Sequence, residues 1–262
     1  MGKPNRRMTQ DNKNQKVSRY DRKKQNAING NSDNVFSLQG SNDWKLHLFN
    51  PTERQNPIAQ SMIDNYLTVV NAPSGCGKTS VAVWRALSMY KQNVFKRVVF
   101  VKNPTEAGDD QIGFLSGDAD EKLTRHFHET KRIFTNFISK GKMDTGEREG
   151  WLEFTIPNFL LGATIDEAII LIDEAQTMSP DTIKLLIERA GKDSHVVVMG
   201  DSRQRYSVKR RDDGFSDLIK RVTELNEDGE RVSLFDIVGY VELTTEENQR
   251  SELSKLVTEL YA

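Results

Sequence analysis

Asn71-Ala-Pro-Ser-Gly-Cys-Gly-Lys-Thr-Ser80 follows the apolar run Tyr66-Leu-Thr-Val-Val70, and its reading decides the fold. A short buried strand running into Gly-x-Gly-Lys-Thr is the pattern of a phosphate-binding loop, although Ala72 stands where the first glycine is usual. Gly75 and Gly77 let successive backbone N–H groups turn inward and cradle phosphate oxygens. The helix that must follow adds the partial positive charge of its N-terminus at the same point. Ser74, Gly75, Cys76, Gly77, Lys78, Thr79 and Ser80 are therefore the candidate nucleotide-binding residues. Lys78 suits the β- and γ-phosphates, and the Thr79 hydroxyl suits Mg²⁺. A helix N-terminus lowers thiol pKa, so Cys76 is expected to be reactive and to be shielded by bound ATP. A plain glycine-rich turn would leave the closing lysine and threonine unexplained.

Hydrophobic residues make up 36% of the chain and charged residues 29%, which suits a soluble protein with a highly charged surface. Its 262 residues support one large domain or a core with appendages. No apolar stretch approaches bilayer-spanning length and no signal-peptide pattern opens the chain, so no membrane partner is expected. A single cysteine, Cys76, excludes an internal disulfide and fits a reducing cytoplasm. The histidines show no metal-ligand spacing, so no structural metal is expected. Residues 1–44 are rich in Lys, Arg, Asn, Gln and Ser and nearly free of aliphatic side chains. They read as a disordered basic arm with too little to bury to offset its ordering entropy. Such an arm either touches nucleic-acid phosphates or solubilises the chain, and the sequence leaves both open.

Residues 45–262 read as one domain. Strands are expected at Leu67–Val70, Arg97–Val101, Leu152–Ile156, Ala168–Ile172, Val196–Met199 and Val238–Leu243. Helices are expected from Thr52 onward, after the phosphate loop, from Leu123 to Gly141, and from Ser179-Pro180 to near Gly191. A closing amphipathic helix carries Leu253, Leu256, Val257 and Leu260. Asp144-Thr-Gly146 reads as a turn, and Phe127, Phe134 and Phe137 read as core. Strands alternating with helices imply an α/β fold whose mainly parallel sheet is covered on both faces.

In such sheets ligands gather at the carboxyl ends of the strands. The strand Ala168–Ile172 runs directly into Asp173-Glu174-Ala175-Gln176. Asp173 would hold Mg²⁺ through water and complement Thr79. Glu174 would stand beside the γ-phosphate and polarise the attacking water. The strand Val196–Met199 ends in Gly200-Asp201-Ser202-Arg203-Gln204, which places an uncharged amide where it can sense the γ-phosphate. An ordinary Gly-Asp turn is the other reading. Arg203, Arg205, Tyr206, Lys209, Arg210 and Arg211 then form either a nucleic-acid-binding loop or a solvated one.

Asp-Glu-Ala-Gln followed by Gly-Asp-x-x-Gln resembles the superfamily-one helicase ATPase core. Residues 45–262 as a whole resemble the PhoH-like ATPases. The distinguishing marks are Pro104-Thr-Glu-Ala-Gly108 running into Gly113-Phe-Leu-Ser-Gly-Asp118, and Leu161-Gly-Ala-Thr164 leading into Ile172–Gln176. The resemblance implies a three-layer, RecA-like P-loop NTPase. It implies that Gln55, within Thr52-Glu-Arg-Gln55, reads the adenine edge. It also implies that Arg250, within Asn248-Gln-Arg250-Ser-Glu-Leu253, supplies charge at the γ-phosphate. An exposed glutamine at a helix start and a solvated arginine are the plainer readings. Superfamily-one helicases close the ATP site with a second core domain. A chain with room for one core would use a neighbouring subunit instead, so a ring is expected, and the resemblance suggests a homo-hexamer. Lys102 and Leu161 stand where the family prefers arginine, and Arg205–Val208 departs from its usual continuation.

The sequence thus predicts a cytoplasmic, Mg²⁺-dependent ATPase acting as a ring on single-stranded RNA or DNA. Lys78, Glu174, Gln204 and Arg250 are its candidate catalytic residues, with Thr79 and Asp173 on the metal. The alternative is a nucleotide-gated adaptor without helicase activity. A small-molecule kinase would need an arginine-bearing lid and an acceptor pocket, and neither is evident.

Overall fold

The computed structural model describes residues 44–104, 126–204 and 213–247, together with Glu252, Leu253, Leu256 and Leu260. The expectations placed on residues 1–43, on the 105–118 motif, on the 205–211 run and on Arg250 lie outside the described residues.

Six strands form one all-parallel sheet: β1 (Leu67–Asn71), β2 (Arg97–Lys102), β3 (Leu152–Thr155), β4 (Ala168–Asp173), β5 (His195–Gly200) and β8 (Val238–Glu242). Their order across the sheet is β3-β2-β4-β5-β1-β8. A separate antiparallel hairpin pairs β6 (Thr223–Leu225) with β7 (Arg231–Ser233). Alternate residues of the central strands feed two apolar layers. Val70, Val98, Phe100, Leu171, Val197 and Met199 belong to one. Val69, Val99, Val101, Ile170, Ile172 and Val198 belong to the other. Both faces being covered, these strands carry continuous aliphatic runs rather than alternating ones. The first layer packs under α1 (Asn56–Asp64), α2 (Lys78–Lys91), α3 (His128–Thr135) and α4 (Lys140–Glu149). The second packs under α5 (Pro180–Glu188) and α6 (Gly214–Val222). The result is the expected three-layer α/β architecture.

Three expectations are corrected. A single helix from Leu123 to Gly141 does not form. The chain breaks after α3 and restarts at Ser139, whose hydroxyl caps α4 by accepting from Lys142 N at 3.2 Å. Gly141 is thus inside the next helix rather than a stop, and Asp144-Thr-Gly146 is helical rather than a turn. Gly146 is needed because a Cβ there would lie 2.5 Å from the Trp151 indole. The true stop is Gly150, left-handed at φ 76°. Of the closing helix, Leu253, Leu256 and Leu260 are helical and are 69%, 52% and 69% exposed, while Val257 lies outside the described residues. Phe127, Phe134 and Phe137 are buried as expected.

Sequence periodicity gave no sign of α6 or of the β6–β7 hairpin. Asp213 caps α6, accepting from Ser216 N at 2.9 Å. Gly214 lets α6 approach the start of α5 backbone to backbone, since a Cβ there would sit 2.5 Å from Ser179 C and 2.6 Å from Pro180 N. Backbone cannot give way as a side chain can, so Gly214→Ala is expected to destabilise by about 1–3 kcal/mol. Gly141 has nothing within 4 Å of its added Cβ, so Gly141→Ala should be neutral or stabilising by up to about 1 kcal/mol. Urea midpoints at unchanged m-value check both, and equal midpoints would contradict this packing.

Candidate functional site

Strand order brings three sequence motifs to one place. β4, β5 and β1 are consecutive in the sheet and parallel, so their carboxyl ends lie side by side. The loop 71–77 leaves β1, Asp173 closes β4, and Gly200–Gln204 leaves β5.

In the loop, Gly75 and Gly77 take φ values of 87° and 76°, which glycine alone adopts without strain. Ala72 has no positive φ; its N–H donates to Gly200 O at 3.0 Å, so replacing the usual first glycine costs no strain here. Lys78 is buried at the start of α2 and donates from Nζ to Ala72 O at 3.1 Å and Pro73 O at 3.4 Å. The Thr79 hydroxyl donates toward Asp173, 3.3 Å from both Oδ1 and Oδ2.

Burial, and then the charge of neighbouring Glu174, push the Asp173 carboxyl above its usual range, while Lys78 and Lys102 pull the other way. Lys102 is Asp173's register partner across β2 and β4. A desolvated carboxylate beside a hydroxyl is a hard-oxygen pair that a Mg²⁺ ion would satisfy. The loop offers turned-in N–H groups and a lysine ammonium for phosphates. The residues present therefore fit a magnesium-bound nucleotide.

Glu174 is left-handed at φ 54° and ψ 41°, an unusual conformation for a non-glycine residue. Thr177 holds it there: its N–H and hydroxyl both donate to Glu174 O, at 3.0 and 2.7 Å. Asn103 Nδ2 in turn donates to Thr177 O at 3.1 Å. Strained backbone that its surroundings hold in place is a mark of functional positions.

The structure places Gln55 differently from an adenine reader. It is buried, donates from Nε2 to Cys76 O at 2.9 Å, and accepts at Oε1 from Thr52 N at 3.0 Å. Its amide braces the phosphate loop from beneath, and a Cβ on Gly77 would come within 2.7 Å of that Nε2. On the other side the Cys76 thiol donates to Thr244 O at 3.3 Å. Thr244 is fixed by Glu247, which accepts from its N–H and hydroxyl, and Glu247 also receives Arg54 Nη1 at 2.6 Å. Burial works against the Glu247 charge, yet these hydrogen bonds prevail and hold its carboxyl below the usual range.

Cys76 corrects the sequence reading. It is fully buried, and burial pushes its thiol up to about 11 despite Lys78.

Sequence reasoning passed over Asn71 and Gln176. Asn71 accepts from Ser202 N at 3.1 Å and donates to Glu242 Oε1 at 3.3 Å, tying the loop after β5 to the end of β8. Its only signal was a polar residue ending a buried strand. Gln176 lay inside a quoted motif without a role. Ser74 and Ser80 sit within the loop and the first turn of α2.

An all-parallel three-layer sheet with a glycine-bearing strand–loop–helix and a strand-end Asp-Glu defines a P-loop protein of the nucleotide-binding class. A family model described as PhoH-like protein matches residues 48–262, and the chain belongs to that family. It is 28% identical over 153 residues to a PhoH-like protein of Bacillus subtilis, covering 58% of this chain and 48% of the relative. To Protein PhoH of Escherichia coli K12 it is 26% identical over 212 residues, covering 80% of this chain and 57% of the relative. The chain thus spans about half the length of the curated relatives it matches.

A thiol raised from 9.0 to about 11 holds roughly a hundredfold less thiolate at pH 8. Iodoacetamide should therefore label native Cys76 at least about a hundredfold more slowly than the urea-unfolded chain. Equal rates would contradict the buried placement.

Proposed function

We propose that this chain binds Mg²⁺-ATP at the carboxyl ends of β1, β4 and β5, hydrolyses it, and works as a ring on single-stranded RNA or DNA. The observation that carries the reading is the convergence of Thr79 and Asp173 at 3.3 Å beside the loop that holds Lys78.

When bound, the metal supplies positive charge at the β- and γ-phosphates. The chain's own residues do the rest. Lys78 exchanges two neutral carbonyl acceptors for phosphate oxygens, a stronger charge-assisted contact. Glu174 Oε2 is taken by Gln176 Nε2 at 2.6 Å, which leaves Oε1 to receive the proton of the attacking water. Gln204 senses the γ-phosphate. Phosphate is then released to water rather than transferred to an acceptor.

Arg250 completes the site of a neighbouring copy. The support is its place after β8 in the family's arginine motif, together with the leucines that follow it. Leu253, Leu256 and Leu260 form an exposed apolar stripe that a second copy would cover. Action on nucleic acid rests on the basic content of residues 1–44 and 203–211. Stimulation of hydrolysis by single-stranded RNA or DNA separates this reading from a nucleotide-gated adaptor.

Glu174→Gln should retain Mg²⁺-ATP and slow turnover by roughly two to four orders of magnitude, the range for losing a general base. Arg250→Ala should also bind ATP and turn over slowly. Co-expressing the two should restore activity, because some interfaces then pair an intact Glu174 with an intact Arg250. Steady-state phosphate release reads all three. Mixed rings that stay inactive, or a wild-type monomer that hydrolyses ATP, would contradict the shared site.

A further inference from the structure

The Gln176 amide touches both Glu174 of the Asp-Glu motif and Asp201 and Gln204 of the Gly-Asp-x-x-Gln motif. Gln176 is buried at 6% exposure, in the middle of the short turn Ala175–Thr177 after β4. Its Oε1 accepts from Asp201 N at 3.1 Å, which fixes which way the amide faces. Its Nε2 is therefore turned away from Asp201 N and toward Glu174 and Gln204. There it donates to Glu174 Oε2 at 2.6 Å and meets Gln204 Oε1 at 3.4 Å. Gly200 makes this placement possible, since a Cβ on it would lie 3.0 Å from Gln176 Oε1 and 2.7 Å from the Phe215 ring.

The chemistry of the Gln204 contact is directional. A γ-phosphate presents only acceptor oxygens, so a sensing glutamine must offer its NH₂ and not its carbonyl. Because Gln176 donates to Gln204 Oε1, the Gln204 carbonyl is turned inward and its NH₂ is left for the ligand. The same amide group pins one oxygen of Glu174. We infer that Gln176 is a positioning residue that sets the flip of the Gln204 amide and ties it to the Glu174 carboxylate, so that recognition of a terminal phosphate and alignment of the base occur together. The inference rests on the reading of the site as one that binds and hydrolyses a nucleoside triphosphate.

Two replacements test it. Gln176→Met keeps the length and removes both hydrogen-bonding ends. Gln176→Glu keeps the shape but, when ionised, can only accept, which would turn the Gln204 NH₂ inward. Equilibrium affinities for Mg²⁺ with a non-hydrolysable ATP analogue and for Mg²⁺-ADP are measured by calorimetry on the full chain. Each variant should lose on the order of tenfold or more in preference for the triphosphate, the scale of one hydrogen bond to a charged group, while keeping its ADP affinity. Removing Gln204 as well should add nothing: Gln204→Ala should cost triphosphate preference in the wild-type background and none in Gln176→Met. Single-turnover kcat should fall about a hundredfold in both variants, as misplacement by about an ångström does. Wild-type triphosphate preference in the variants, or triphosphate and ADP affinities falling by one common factor, would overturn the inference. Should Gln176→Met fail to fold, Gln176→Glu read against ADP decides alone. A wild-type chain that binds no nucleotide would instead sink the reading of the site itself.

Discussion

Parallel pairing of β4, β5 and β1 is the constraint on which the rest depends. Parallel strands all end on the same edge of the sheet, so whatever follows them is gathered without any further device. Here that edge receives the loop with Lys78, the Asp173-Glu174 pair and the Gly200–Gln204 turn. Both faces of the sheet are buried under helices, which leaves the strand ends as the place where the central strands' polar groups can meet a ligand. Asp173 shows the consequence. It belongs to a strand buried along its whole length, and its carboxyl is destabilised as an anion until a cation meets it.

Around that edge the polar groups form a closed set of braces. Gln55 and Thr244 hold Cys76 from two sides, so the loop is fixed by the segment before β1 and by the segment after β8. Asn71 fastens the turn after β5, and Gln176 fastens Glu174 and Gln204 to each other. Each brace uses a neutral amide or thiol in place of a charge, which avoids the desolvation cost of buried ions. Charged groups stand where a charged ligand would need them, at Lys78, Asp173 and Glu174. The braces hold the backbone of the loop and of the two strand-end turns in place, while Lys78 and Thr79 keep polar contacts that they can exchange for those of a ligand.

The sheet was legible because buried parallel strands carry uninterrupted aliphatic runs, as in Ala168–Ile172, and because the phosphate loop has a strict pattern. What was not legible had physical reasons. Gly141 and Gly146 look like punctuation in one dimension, yet Gly146 is a contact for Trp151 and Gly141 lies in a helix started by Ser139. Gln55 reads as a ligand contact in a motif, but its amide is engaged by Thr52 and Cys76, which only the fold brings together. The Cys76 pKa follows from burial beneath Thr244, which overrides the helix N-terminus that the sequence displays. Helix α6 was missed because its start is set by a cap and by close backbone approach at Gly214 rather than by an apolar run.

Calorimetric titration of the full chain with a non-hydrolysable ATP analogue tests the central claim most directly. Saturable binding of one nucleotide per chain that requires Mg²⁺ and disappears in Lys78→Ala is the expected result. An absence of binding, or an isotherm unchanged by Lys78→Ala or by chelating the metal, would contradict it.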